Sequence, residues 1–500
     1  MRARLRAALA VAAGGYALSV TFPRPDWDGV AWFALTPVIL TALGRRARGA
    51  FGLGWLSGFV FFFVLLRWLN FTFRTYSAIP LPLVWVPTAL LAAYCGLFVG
   101  VFAAALSWIT ERRSIPLALA SAPFLWITAE WLRGHLFGGF PWGLLGYSQF
   151  QRLPVIQIAE LGGVYAVSFV VLAVNAVIVG VIALPWRQAA VGLGLGALLV
   201  GATLAFGAAC LREAPPAETA TIAVMQPSIE QPLKWDPEHA ATTLGIYFAL
   251  TRRAAADSPQ LVVWPETSSP TMLRHDPVLL AGLRDLSRRL NVPLVVGSVD
   301  VDTQAPDRYH NSAFLVTSRG IEARYDKIHL VPFGEYVPLG LIGVVRRWAE
   351  FVAQLEPGSR AVVFPGPPAP FGIVICYEGI FPELVREFVR GGARVLLNMT
   401  NDAWFGRTSG PWQHLGMYPL RAVEHRIAIA RAANTGISAF VAPSGQIVRR
   451  LGLFDRGVIT DRVALRTGET LYTRFGDWLV YLAMAGSAIV LATAVWARSA

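Results

Sequence analysis

Charge is scarce in this sequence: Asp, Glu, Lys and Arg together make up 15% of 500 residues, where a soluble domain carries about a quarter. That shortfall argues against an ordinary cytosolic enzyme. Cysteine is scarcer, with three in the chain, Cys95, Cys210 and Cys376. The first two fall inside apolar runs, so no disulfide framework is available, and Cys376 stands alone in its part of the chain. Lysine is nearly absent. Of 43 basic residues only Lys234 and Lys327 are not arginine, so Arg supplies the generic positive charge and each lysine calls for a specific reason. The net charge of +12 is scattered singly or in short groups and forms no long basic run, which speaks against nucleic acid as a partner. The 7 histidines are dispersed, and no HExxH or CxxC spacing exists. With no GxGxxG after a strand and no GxxxxGK[ST] loop, metal and nucleotide chemistry have no support.

What the sequence does have is 55% hydrophobic side chains, gathered into blocks. Seven fill residues 1–211, at about 5–22, 29–43, 51–71, 80–110, 116–132, 160–184 and 189–211, and an eighth spans about 477–496. A membrane crossing needs about 20 apolar residues, so the pattern predicts about eight transmembrane helices. Arg2, Arg4 and Arg6 would suit a secretory signal, but no small-residue cleavage site follows, and the first block reads as a retained span. Arg45, Arg46, Arg48, Arg112, Arg113, Arg187 and Arg498 fall on the same side as the N-terminus, which places that side in the cytoplasm. Seven crossings then deliver the segment 212–475 outside, and residues 476–500 form a C-terminal transmembrane helix with a short cytoplasmic tail. A transporter with an outer binding domain would place charges within the spans. Only Arg67, Glu130 and Glu160, near block ends, come close.

The segment 212–475 reads as a folded α/β domain. Residues 221–226, 261–266, 293–299, 312–317, 371–376, 395–400 and 437–443 are short apolar, β-branched runs expected as buried strands. Helices are expected over 237–256, 277–290, 381–390 and 413–433. Reactive side chains sit at strand ends, where sites in α/β folds assemble. Glu266 closes LVVWPE, Lys327 and Glu335 lie in YDKIHLVPFGEYVP, and Cys376 closes FGIVIC. A free thiol is only a few per cent ionised at neutral pH. A carboxylate base and an ammonium would activate it. Glu266 would take the thiol proton, Cys376 attack a carbonyl, Lys327 stabilise the oxyanion and Glu335 hold the lysine. Taken singly, each has a bland reading: a buried inert cysteine, or surface carboxylates and a surface cation. Trp404 and Trp412, flanking FGRTSGP, would line or gate a cleft, or simply pack in the core. LGLIGVVRRWAEFV at 339–352 is a candidate amphipathic arm for the headgroup layer.

In order along the chain, QPSIEQPLKWDP (226–237), VVWPE (262–266), YDKIHLVPFGEYVP (325–338), ICYEGIFPE (375–383), NMTNDAWFG (398–406) and GPWQH (410–414) resemble the bacterial apolipoprotein N-acyltransferase family, within the nitrilase superfamily. In the membrane part the resemblance is one of pattern plus the loop GGFPWGLLGYSQF (138–150). It implies an αββα sandwich, carries the catalytic Glu, Lys and Cys onto Glu266, Lys327 and Cys376, and marks Trp235, Glu335, Tyr377 and Glu378 as positions important for activity. It further implies a phospholipid acyl donor, commonly phosphatidylethanolamine, and the α-amine of a diacylated apolipoprotein as acceptor. The enzyme would work as a monomer in the bacterial inner membrane, with its catalytic domain periplasmic, by ping-pong transfer through a Cys376 thioester and with no cofactor. A membrane-anchored amidase would share the three residues and release the acyl group to water.

Overall fold

A computed structural model describes residues 1–214, 216–301, 308–337, 343 and 354–496. Apart from residue 343, the arm expected at 339–352 lies outside them. The chain divides into two compact units: residues 1–70, 82–213 and 474–500 form one, and residues 71–81 and 214–473 the other.

The first unit is helical, and a helix occupies each apolar block. Among the described residues five helices are long and apolar enough to cross a membrane: Ala47–Leu65, Leu81–Arg112, Ile115–Gly138, Ala159–Ala183 and Trp186–Arg212. Asp28–Leu43 and Trp478–Ala494 are apolar but shorter, and Arg2–Ser19 opens on its three arginines. Lipid gives helices no hydrophobic reason to associate, so close backbone approach has to hold them. Gly54 and Gly58 meet Gly96 and Gly100 at spacings of four; a methyl group on Gly58 would lie 2.8 Å from the Gly96 Cα. Two charges of this unit are braces. Glu130 accepts the Leu145 amide at 2.6 Å and Arg133 donates to the Phe140 and Trp142 carbonyls at 2.5 and 2.7 Å, tying down the loop 138–150, whose residues 141–150 are buried.

The second unit is two sheets with helices outside. In chain order the strands are β1 (Thr219–Gln226), β2 (Leu261–Val263), β3 (Leu294–Val301), β4 (Tyr309–Thr317), β5 (Gly320–Asp326), β6 (Phe371–Ile375), β7 (Val395–Thr400), β8 (Ala428–Ala433), β9 (Ala439–Val441), β10 (Ile447–Arg450) and β11 (Gly457–Ala464). One sheet runs β11-β1-β2-β3-β4-β5 and the other β10-β9-β8-β7-β6. They meet along β1 and β8, where Gln226 Oε1 accepts the Ser438 amide at 2.8 Å. Helices Ala240–Ala254 and Pro277–Leu290 cover the first sheet, with Tyr247, Leu250, Leu279, Leu283 and Leu286 packed on Val262, Trp264, Leu294, Val296 and Phe314. Each such side chain stabilises by about 1.5–3 kcal/mol on burial. Helices Pro382–Arg390 and Gly410–His425 pack against elements of the second sheet and the turn after β6. This is the αββα sandwich.

One expectation fails locally. The helix read over 413–433 stops at His425, because Arg426 takes a left-handed conformation with φ 49°, and the remainder is β8. Its alanines suggested helix. Paired parallel with β7 and antiparallel with β9, the run Ala428–Ala433 is a fully buried central strand instead, and neighbouring strands override propensity there. The edge strands β5, β10 and β11 were not anticipated either, since their half-exposed residues carry no apolar run.

Candidate active site

Three parallel strands of the first sheet and three of the second deliver their carboxyl ends to one region, as open α/β sheets do. After β2 the chain turns through Glu266 into Thr267, whose φ of 43° is left-handed for a β-branched residue. The turn lies against β3 so closely that a methyl group on Gly297 would sit 2.6 Å from the Pro265 oxygen and the Thr267 nitrogen. Glu266 is buried at 6% exposure, and both of its oxygens accept hydrogen bonds. Oε1 receives Lys327 Nζ at 3.3 Å and Asn311 Nδ2 at 2.8 Å, and Oε2 receives the Asn401 amide at 2.8 Å. Lys327, just past β5, donates also to Glu335, 2.8 Å from Oε2. Asn311 Nδ2 reaches the same Glu335 at 3.0 Å, and the Val331 amide closes its other oxygen at 2.8 Å. One ammonium and one amide thus hold two carboxylates together. Burial works against the Lys327 charge, but Glu335 and Glu266 outweigh it and keep the ammonium well above its ordinary range.

Cys376 ends β6 and has φ 53°, the sharp turn that lifts a side chain from a strand into a cleft. Its carbonyl is anchored behind it, accepting from Tyr418 Oη at 3.3 Å and lying 3.3 Å from His414 Nε2. His414 Nδ1 lies 3.0 Å from Asp402 Oδ1. Arg431 Nη2 also lies 3.2 Å from Nδ1; a neutral imidazole donates either to the carbonyl from Nε2 or to Asp402 from Nδ1, and Tyr418 satisfies the carbonyl in either case. Asp402 is closed by Arg431 at 2.6 Å and Thr400 at 3.0 Å, and Arg431 also reaches Asn398 and the Ile437 carbonyl. Burial opposes the Asp402 charge, yet Arg431 and His414 hold the carboxyl down to about 2. The thiol itself is pushed well up by burial and by Glu266, against the pull of Lys327.

Glu378 is fully buried and ties the turn after β6 to the loop after β5. Its carboxyl accepts from the Ile375 and Ile328 amides at 2.6 Å each, from Tyr325 Oη at 2.6 Å and from the His329 amide at 3.2 Å. Burial pushes it up to about 7, with Tyr325 and these amides opposing.

Of the residues expected from sequence, Lys327 touches both Glu266 and Glu335, and Cys376 and Glu378 share the turn after β6. Tyr377 is half-buried with Phe381 edge-on at 5.1 Å. Trp235 is 47% exposed. Trp404 is held through its carbonyl by Thr72 at 2.7 Å and by Tyr76 edge-on at 4.9 Å. Trp412 packs on Leu415, Ile437 and Ala439 beneath the Arg450 guanidinium. Sequence reasoning missed Asn311, Asn401, Asp402, His414 and Arg431. NMTNDAWFG and GPWQH contain three of them, and their polar residues beside an apolar strand were the available signal.

The chain is similar to known proteins along most of its length. Residues 14–177 match the family model of the apolipoprotein N-acyltransferase N-terminal domain, and residues 221–472 match that of carbon-nitrogen hydrolases. An apolipoprotein N-acyltransferase of Geobacter metallireducens is 38% identical over 97% of this chain and 94% of its own. One of Haemophilus ducreyi is 32% identical over 91% and 88%. Among solved structures, a nitrilase-superfamily amidase of Nesterenkonia is 23% identical over 50% of this chain and 94% of its own, with a TM-score of 0.39.

Proposed function

The chain belongs to the apolipoprotein N-acyltransferase family, and from that premise we propose how its residues carry the transfer. The enzyme moves a fatty acyl group onto the N-terminal amine of a lipoprotein. Glu266 takes the Cys376 proton as the sulfur attacks an ester carbonyl of a phospholipid, phosphatidylethanolamine in our reading. The oxyanion of the tetrahedral intermediate is stabilised by Lys327. Collapse expels the glycerol oxygen, which takes the proton from Glu266 and leaves as lysophospholipid, and the acyl group remains as a thioester. The amine of the diacylated cysteine then attacks. Glu266 accepts the amine proton and returns it to the departing sulfur, closing a ping-pong cycle.

The observation that carries this reading is the set of contacts on Glu266: lysine and asparagine on one oxygen, a backbone amide on the other, and the Cys376 thiol within its electrostatic reach. Wild-type protein in phosphatidylethanolamine vesicles is expected to gain one acyl mass on the Cys376 peptide, and Cys376→Ala to gain none. Absence of that mass from the wild type would end the scheme. Adding a diacylated lipopeptide should yield amide; free fatty acid in its place would favour a hydrolase.

We further read the enzyme as a monomer with eight crossings and the second unit on the outer side of the cytoplasmic membrane, on the strength of the alternating arginines. In a variant lacking Cys95 and Cys210, Ser318→Cys, on an exposed turn, should react with a membrane-impermeant maleimide in intact spheroplasts. Labelling only after lysis would reverse the orientation.

A further inference from the structure

Both lysines of the chain converge on Glu266. Lys327 meets its carboxylate, whereas Lys234 donates to its backbone carbonyl at 2.8 Å and to the Thr267 hydroxyl at 2.6 Å. Lys234 sits in the turn Gln231–Trp235 after β1 and is 3% exposed, beside Trp235 at 47%. An ammonium taken out of water and bonded to a carbonyl and a hydroxyl, with no carboxylate partner among the described residues, is a costly way to fill space; Leu or Met would pack more favourably. Its two bonds fall on either side of the peptide that leads into Thr267, the residue held at φ 43°, a conformation that persists only when its surroundings impose it. The same turn supplies Gln231, which accepts from Asn401 Nδ2 at 2.7 Å, and the Asn401 amide is the donor to Glu266 Oε2.

We propose that Lys234 is a positioning residue for the acyl transfer: it clamps the Glu266–Thr267 turn so that the carboxylate stays directed at Cys376, and it adds positive potential at the sulfur. The proposal rests on Glu266 as base and Cys376 as nucleophile. The titratable and charged groups that act on Cys376 are Glu266, Lys327, Asp402, Lys234 and Tyr418, and those that act on Lys234 are Glu266 and Cys376. Burial draws Lys234 down to about 8, with Glu266 and Cys376 opposing, so near neutral pH the group still carries most of its charge. Arginine serves elsewhere in this chain, but three compact tetrahedral donors suit a carbonyl and a hydroxyl better than a planar fork does.

The test uses the full-length protein in phosphatidylethanolamine vesicles, with two readouts on the Cys376 peptide by mass spectrometry: iodoacetamide labelling against pH, and the rate of acylation. In Lys234→Met the labelling profile is expected to move up by about one pH unit, as loss of a nearby cation requires. Acylation should slow about tenfold while the phospholipid KM stays within about twofold of wild type. A profile and rate that superimpose on wild type would overturn the proposal. If that variant does not fold, Thr267→Val decides. It keeps the charge and removes one clamp bond, so acylation should slow at least about threefold with the labelling profile unmoved, and an unchanged rate would remove the clamp. Glu266→Gln, run alongside, separates the layers: wild-type acylation there would discard the base assignment itself, whatever the Lys234 variants do.

Discussion

Asn311 holds two carboxylates with a single amide nitrogen. Removing it in Asn311→Ala leaves Glu266 and Glu335 each short of one donor, and hydrogen bonds to charged groups contribute about 1.5–3 kcal/mol. Acylation of Cys376 in single turnover should fall about 10- to 100-fold with the protein still folded; a rate within twofold of wild type would take Asn311 out of the site. Asp402 gives a pH prediction. Its carboxyl lies at about 2 in the fold, below the ordinary 3.8. The stability it adds, about 2 kcal/mol, is therefore present above pH 3.8 and lost as pH falls toward 2. In detergent, the gap in thermal midpoint between wild type and Asp402→Asn should narrow between pH 5 and pH 3. A constant gap would contradict the Arg431 pairing. At this scale the sequence was partly legible. Glu266, Lys327 and Cys376 stood at strand ends, and lysine stood out by rarity. Asn311 and Arg431 carried no such mark, because a neutral amide and one arginine among many acquire meaning only when the strands bring their partners across.

Among the elements, the turn Asp402–Phe405 is held by a stretch of chain more than 300 residues earlier. Thr72 donates to the Trp404 carbonyl at 2.7 Å, Tyr76 to the Ala403 carbonyl at 3.3 Å, and the Phe71 ring fills the space above Gly406, whose φ of 58° glycine tolerates best. Asn401 and Asp402, immediately before and within that turn, serve Glu266 and the Cys376 anchor. Thr72→Val with Tyr76→Phe removes two donors and little volume. The double variant should bind phospholipid vesicles as wild type does, acylate Cys376 about tenfold more slowly, and show Trp404 more open to acrylamide quenching in a background with other tryptophans replaced. Unchanged acylation would reduce this contact to packing. No reading of residues 69–76 by composition points to this pairing, since contact at such sequence distance leaves no local period. The strands are the opposite case: β1, β2, β3, β4, β6, β7 and β9 announced themselves as apolar runs, while β8 hid among alanines that favour helix in isolation.

Across the whole molecule, stability rests on different physics in the two units. The two-sheet unit buries large apolar faces, Trp264 stacked on Tyr247 at 4.4 Å among them. The helical unit depends on shape. Gly58→Leu places its side chain where the Gly96 Cα and the Val99 side chain already stand, so the helices Ala47–Leu65 and Trp85–Arg112 must separate. The thermal midpoint in detergent should drop by several degrees, and Gly52→Leu, at a position with open space, should cost little. Equal losses would mean that the seam is not the close contact it looks.

The two-sheet unit is also discontinuous along the chain, and that has a consequence for biosynthesis. Residues 71–81 leave the ribosome first, and residues 82–213 must follow before the remainder of their unit begins to emerge. At about 5–20 residues per second the early strip waits roughly ten seconds for its companions. Its exposed rings need shelter meanwhile, so a nascent chain stalled near residue 200 should be a better target for chaperones and proteases than one stalled after residue 473.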